Sequence, residues 1–233
     1  MTILNRPQII LASGSPRRQQ LLRDLGLPFE IITADIDETP LPNEAPVVLV
    51  KRLAESKAQA VVDKQDQRDE ALLILAADTI VALDEAPLGK PTDADDAKRM
   101  LTQLRDRDHQ VHSGLSIIQL EPEGTATQQT KINSSTIYMR NYSDAEIAEY
   151  VASGDPLDKA GAYAIQHPVF APVKKLDGCV SGVMGLSLVD LVTLLADFGV
   201  TVTVEGTESI CEGYAPFACC KRCEDSGLLT AQG

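Results

Sequence analysis

Three basic side chains and three carboxylates carry most of the chemistry this sequence offers: Arg18, Lys57 and Lys90 against Asp37, Glu38 and Asp78. Around the first, the chain reads Leu11-Ala12-Ser13-Gly14-Ser15-Pro16-Arg17-Arg18. Its small residues keep the backbone thin, and Ser13 and Ser15 add hydroxyls. Pro16 suits the first position of a helix and Ser15 the N-cap. Free N–H groups at a helix start, with paired guanidiniums, suit a phosphate group. The same string also reads as a capped helix with two solvated arginines. It matches neither G-x-x-x-x-G-K-[ST] nor G-x-G-x-x-G. Lys57 falls on an apolar helical stripe, a common place for a snorkelling lysine. Asp78 follows the apolar run Ala71 to Ala77 and precedes Thr79, so it is expected at a strand end, partly desolvated and firmly placed. Basic groups gathered at loops would hold phosphate oxygens, while carboxylates would hold a divalent metal or activate water. Cleaving a phosphoanhydride needs that combination. The histidines are His109, His112 and His167; they form no hydrolytic triad and no His-rich metal spacing.

The elements that must position these groups follow from pattern. Ile9 to Ala12 reads as a strand and Gln19 to Leu25 as a helix stopped by Gly26. Phe29 to Thr33 is a second expected strand, leading into the acidic loop at 34–40. Val47 to Asp63 is helical, opened by Pro46, with Val50, Leu53, Ala54 and Val61 on one stripe. Ala71 to Ala77 suits a buried strand that Ile80 to Leu83 continue. A turn at 84–87 leads to Leu88-Gly89-Lys90-Pro91, and Asp93 to Leu104 reads as an amphipathic helix. His109 to Leu120 and Thr125 to Arg140 pair as a hairpin through Glu121-Pro122-Glu123-Gly124. Ser143-Asp144-Ala145-Glu146 has the capping-box form and opens a helix to about Ser153. The small residues of Asp158 to Gln166 allow close backbone approach. Leu186 to Phe198 is a last helix, stopped by Gly199, and Val200 to Val204 a last strand. In an open α/β sheet, loops at the carboxyl ends of strands converge on one crevice, which would gather the charged groups.

Length and composition set the outer bounds. With 233 residues, the chain buries a full core. No repeat or linker separates independent domains. A net charge of −13 disfavours non-specific binding to nucleic acid or anionic membrane. Aromatic content of 4% with no Trp argues against base-stacking platforms. No apolar run reaches the length of a membrane span and no signal-peptide pattern opens the chain, so a cytoplasmic protein is expected. Of five cysteines, Cys211, Cys219, Cys220 and Cys223 crowd the end of the chain. The adjacent pair Cys219-Cys220 is awkward for one tetrahedral zinc site, so a flexible or redox-sensitive tail is the preferred reading.

In this order the pieces resemble the Maf family of nucleoside triphosphate pyrophosphatases. The stretches that carry the resemblance are LASGSPRRQQLL (11–22), DIDETP (35–40), RLAESKA (52–58), AADTIV (76–81), LGKP (88–91), YVASGDPLDKAGAYAIQ (150–166) and VMGLSL (183–188). The resemblance implies an α/β fold with a mixed, partly antiparallel sheet and helices, two lobes around a deep cleft, akin to inosine triphosphatases. It implies residues 1–204 as one catalytic unit and 205–233 as a Cys-rich tail outside it. It implies hydrolysis between the α and β phosphates, with Mg²⁺ or Mn²⁺ as divalent metal cofactor. Asp78 would be the proton acceptor and, with Glu38, a metal ligand. Ser13, Ser15 and Arg18 would cradle the phosphates, braced by Lys57 and Lys90. Arg17, Thr79 and Gln166 match the positions at which members differ in base specificity, and they resemble the dTTP/UTP-cleaving branch. A nucleoside triphosphate is the implied partner and a homodimer the implied assembly. Two stretches depart from the usual pattern. Ala164-Ile165-Gln166-His167 stands for Gly-Ile-Gln-Gly, and Cys179 to Ser187 replaces a Ser-Tyr-x-x-Val-x-Gly-Leu-Pro stretch; both are expected to reshape the nucleoside side of the cleft.

Two rival readings remain. Asp35-Ile36-Asp37-Glu38-Thr39 fits the D-x-D-x-T pattern of haloacid-dehalogenase-type phosphatases, which would make Asp35 a nucleophile. The same cleft could also serve a non-catalytic nucleotide sensor acting on cell division. Asp78 and the metal carboxylates favour turnover, since a pure binder of polyanions hardly needs them.

Overall fold

A seven-stranded mixed sheet runs through the computed structural model, which describes residues 7–66, 69–202, 211, 213, 214 and 217. In chain order the elements are β1 (Gln8–Leu11), α1 (Pro16–Asp24), β2 (Glu30–Ile31), α2 (Pro46–Val62), β3 (Leu72–Leu83), β4 (Ala86–Leu88) and α3 (Ala94–Leu104). They continue as β5 (Asp108–Leu120), β6 (Ala126–Met139), α4 (Asp144–Ala152), two 3₁₀ turns (Asp155–Asp158, Ala160–Ala162), β7 (Val173–Asp177), α5 (Val180–Met184) and α6 (Leu188–Asp197). The spatial order is β2-β1-β3-β5-β6-β7, with β4 beside the far end of β3. β1 runs parallel to β2 and β3, and every other pairing is antiparallel.

Alternation along β3 divides the core. Leu73, Leu75, Ala77, Val81 and Leu83 join the large cluster that α1, α3, α4, α5 and α6 cover. Leu72, Ile74, Ala76 and Ile80 face the other way, onto α2. The period of two therefore sends Asp78 to the α2 face and Thr79 to the opposite one. α2 lies so close to the sheet that a Cβ on Gly114 would sit 2.8 Å from the Val50 carbonyl oxygen. Only glycine fits there, directly across from Asp78.

Local signals set most of the ends. Pro16 and Pro46 stand at helix starts, Asp93 caps α3 through Asp96 N–H, and Ser143 and Glu146 form the full capping box of α4. Three expectations change. The strand foreseen at 29–33 is only Glu30–Ile31, an exposed sheet edge. β3 does not break at Asp78, because β5 pairs with it without interruption from Leu72 to Ala82; Asp78 therefore sits mid-strand. Residues 200–202 are not a strand: Val200 N–H bonds Leu195 O, closing the turn that Gly199 makes at φ +75°. Residues 203 and 204 lie outside the described residues. β7 and α5, by contrast, are elements the sequence pattern did not announce.

Cys211 is buried in the large cluster, and Tyr214 and Phe217 rest against it. Cys219, Cys220 and Cys223 lie outside the described residues.

Candidate active site

β1 leaves the edge of β3 at Leu75, and β4 takes it up again only at Val81. Between them β3 has no strand partner on that edge among the described residues, and Asp78 and Thr79 lie in that gap. Side chains from opposite faces of one strand thus reach one cleft, of about 760 Å³. One wall is the loop and helix start at Ser13, Gly14, Ser15, Arg17 and Arg18. Glu38 and Lys57 come from the α2 side. Lys90, Asp158, Lys159, Tyr163 and Gln166 supply the facing wall, with Gly185 at the end of α5.

On the α2 face, the Lys57 ammonium donates to Asp78 Oδ1 at 2.6 Å and lies 2.8 Å from Glu38 Oε1. Lys57 and Asp78 are both buried, while Glu38 is exposed. A snorkelling lysine would send its charge to solvent; this one turns inward because a carboxylate waits on β3.

On the other face, the Arg18 guanidinium ties three elements together. Nε donates to Gly185 O at 2.9 Å, Nη1 to Ser13 Oγ at 3.1 Å and Nη2 to Thr79 Oγ1 at 3.3 Å. Burial lowers its pKa, an effect that the nearby Asp78 charge opposes. Gly185 is at φ +122°, a backbone conformation that favours glycine, and the Arg18 Nε lies 3.4 Å from where a Cβ would stand. Ser13 Oγ also accepts the Ser15 N–H at 3.2 Å. Ser15 stands at the N-cap of α1, but its side chain makes no cap hydrogen bond.

Arg17 points elsewhere and meets Asp158 across the cleft at 3.7 Å. Asp158 is in turn 2.6 Å from Lys159 Nζ, which also reaches Asp155. Tyr163 OH meets His109 Nε2 at 2.8 Å. Every residue to which the resemblance gave a site role therefore lines this cleft, whereas Asp37 does not. Asp158, Lys159, Tyr163 and Gly185 were not singled out; the run Asp158-Lys159-Ala160-Gly161 hid two of them among small residues.

The departing stretches also do other work. His167 Nδ1 accepts the Phe170 N–H at 2.9 Å and its ring packs on Tyr150. Cys179 Sγ caps α5 at Gly182 N–H, and Ser187 Oγ caps α6 at Asp190 N–H. Other residues of both stretches line the cleft: Ala164, Ile165 and Gln166 in the first, Val183, Met184 and Gly185 in the second. Asp35 is exposed and does not line the cleft, and Asp37 holds the Thr39 N–H within its own loop. A nucleophile at Asp35 has no pocket to work in.

The Maf-like protein family matches residues 8–198. A protein of Geobacter sp. (strain M21) named dTTP/UTP pyrophosphatase is 42% identical over 196 residues, covering 84% of this chain and 98% of that one. One of the same name from Chromobacterium violaceum is 44% identical over 198 residues, 84% of this chain and 96% of its own. Among solved structures, a HAM1 protein from Coxiella burnetii aligns with 82% of this chain and 100% of its own, at 17% identity and a TM-score of 0.46.

Proposed function

The chain belongs to the Maf family, and we propose on that footing that its cleft hydrolyses dTTP and UTP to the nucleoside monophosphate and pyrophosphate. It is a nucleoside triphosphate pyrophosphatase, a hydrolase of nucleotide metabolism. The observation that carries the site assignment is the gap in β3's edge, where a buried Asp78–Lys57 pair and the Arg18 guanidinium open into one cleft from opposite faces.

Each side chain then has a task. Ser13 Oγ accepts from both Ser15 N–H and Arg18, so its own proton is left to donate to a phosphate oxygen. Arg18, Ser15 and Lys90 complete the phosphate cradle, and Lys57 offsets charge beside the reacting phosphorus. Asp78 orients and deprotonates water for in-line attack at the α-phosphorus. Arg17, Thr79 and Gln166 read the base, the Gln166 amide offering both a donor and an acceptor to the pyrimidine edge.

The residues also fit a divalent metal. Among the described residues no three His, Cys, Asp or Glu gather in one place, so Glu38 and Asp78 would share a cation with phosphate oxygens and water. Mg²⁺ and Mn²⁺ favour such an incomplete protein shell. Bound there, the ion would polarise the phosphoryl group and offset charge developing on the triphosphate.

The same proposal includes a homodimer working on the cytoplasmic nucleotide pool. The exposed apolar Leu41, Val47 and Val48 beside the cleft favour assembly, and a mass measurement in solution tests it. Among the described residues no helix is long and apolar enough to cross a membrane. A product assay over a nucleotide panel tests the reaction. Pyrophosphate and monophosphate in equal amounts from dTTP and UTP are expected; orthophosphate with a diphosphate overturns it.

A further inference from the structure

We propose that Ser113, buried on β5 behind the cleft, fixes the Thr79 hydroxyl as a hydrogen-bond acceptor and so selects bases that carry an N3–H, uracil and thymine, over cytosine. The inference rests on the reading of Thr79 as a base-facing residue and adds the origin of its polarity.

Directions along a short chain of bonds carry the argument. Arg18 Nη2 lies 3.3 Å from Thr79 Oγ1, and a guanidinium only donates. Thr79 Oγ1 lies 3.4 Å from Ser113 Oγ, its cross-strand neighbour. Ser113 Oγ lies 3.4 Å from the Asp78 carbonyl oxygen, which only accepts. All three contacts can be hydrogen bonds at once in only one arrangement. Ser113 gives its proton to Asp78 O, leaving Thr79 to give its own proton to Ser113. One lone pair of Thr79 takes the Arg18 N–H, and the other faces the cleft. Thr79 therefore meets a ligand as an acceptor only.

The complement is an N–H. Uracil and thymine present one at N3, whereas the N3 of cytosine is itself a lone pair. Two lone pairs brought together in a half-buried site leave both unpaired, which is how a hydrogen-bonding site rejects the wrong partner. Ser113 is 3% exposed and does not line the cleft, so it acts through Thr79 and not on the nucleotide. It is a positioning residue.

The test compares kcat and KM for UTP, dTTP and CTP in the full chain and in Ser113→Ala. Without Ser113 the Thr79 proton can turn to the cleft and meet the cytosine N3. The expected result is a fall of about tenfold in the UTP:CTP ratio of kcat/KM, carried by KM, with kcat for UTP near its original value. Ser113→Thr keeps a hydroxyl and should restore the ratio. An unchanged ratio in Ser113→Ala, or an equal loss of kcat on all three nucleotides, overturns the inference while leaving the pyrophosphatase reading intact. Absence of any UTP-over-CTP preference in the unmutated chain removes the base-facing reading of Thr79 and the inference with it.

Discussion

Of the three lysines that line the cleft, Lys57 and Lys159 are almost fully buried and each holds two carboxylates, yet they are built in different ways. Lys57 on α2 meets Asp78 on β3, 21 residues away in sequence, and Glu38 from the loop before α2. Lys159 meets Asp155 and Asp158 within its own 3₁₀ turn. Burial does not separate them, at 9% exposure for Lys57 and 8% for Lys159. Satisfaction does. Lys159 also donates to the Asp155 carbonyl, and Asp155 takes the Tyr150 hydroxyl at 2.6 Å, whose oxygen accepts the Ala164 N–H. Burial pushes the pKa values of Asp155 and Asp158 up, but bonds from Tyr150 and Lys159 outweigh it and leave both lowered. Apart from the Arg17 contact to Asp158, that cluster is a local network bracing residues 160–166. The Lys57 cluster is assembled from distant segments at an open strand edge, with carboxylate lone pairs still available to water or a metal. Equal charge counts thus brace a wall in one place and leave a cluster open to the cleft in the other.

Asp78→Asn is the sharpest way to break this contrast. The amide keeps the size of the side chain and an oxygen for Lys57, but loses the base. Turnover should fall about 10²–10⁴-fold, with nucleotide binding still measurable by calorimetry and melting temperature little changed. Full kcat in the variant would remove Asp78 from the reaction and erase the difference between the two clusters.

Acid stability gives the next largest effect and keeps loss of fold from being mistaken for loss of chemistry. Burial holds the His109 pKa down to about 4. Unfolded, the ring titrates near 6.5, so between pH 6.5 and 4 the unfolded chain binds the extra proton. Stability is full above pH 6.5 and declines as pH falls toward 4, by on the order of 3 kcal/mol. Burial lowers the His112 pKa as well, with the same sign. Asp155 and Asp158 are lowered carboxylates, whose contribution is present above the ordinary carboxylate range and is lost only in stronger acid. Urea unfolding at several pH values should therefore show a slope between 6.5 and 4 that His109→Gln flattens. An unchanged slope would place the acid lability elsewhere.

How much of this was legible in sequence follows the same division. The loop and helix start at 13–18, the helix caps and the hairpin were readable because they are local: Pro16, the Ser143–Glu146 box and Glu121 to Gly124 announce themselves within a few residues. The membership of the cleft was readable through the resemblance. What was hidden depends on register. Asp78 looked like a strand end because Asp-Thr interrupts an apolar run, but the strand continues since β5 pairs straight past it. Ser113 looked like one small residue in a hairpin, and only the Thr79–Ser113 pairing gives it a role. Lys159 sits in a run of small residues whose turn geometry no periodicity describes.

Lys159→Met tests the scaffold half of the comparison. It keeps the aliphatic length and leaves Asp155 and Asp158 without their buried cation. The cost should be about 2 kcal/mol of stability, a fall of roughly 4–8 °C in Tm for a chain of this size. kcat on UTP should stay within about threefold, since the lysine braces a wall and is not asked to touch the reacting atoms. A loss of kcat as large as that of Asp78→Asn, with Tm preserved, would place Lys159 among the reacting groups and collapse the distinction.

Glu38→Gln carries the smallest expected effect and bears on what the open cluster is for. Glu38 is exposed, its contact with Lys57 is screened by solvent, and it should add little to folding. If Glu38 and Asp78 share a divalent cation, the amide removes one anionic ligand while Asp78 keeps the other. The apparent affinity for Mg²⁺ should then weaken by about tenfold, one charged contact of roughly 1.4 kcal/mol. High Mg²⁺ should recover most of the turnover, and Tm in metal-free buffer should match that of the unmutated chain. Binding of Mn²⁺ alone, followed by its paramagnetic relaxation of water protons, gives the same comparison without turnover. An unchanged Mn²⁺ affinity would leave Glu38 as a counterion to Lys57 and shift the search for the second metal ligand to the phosphates and water.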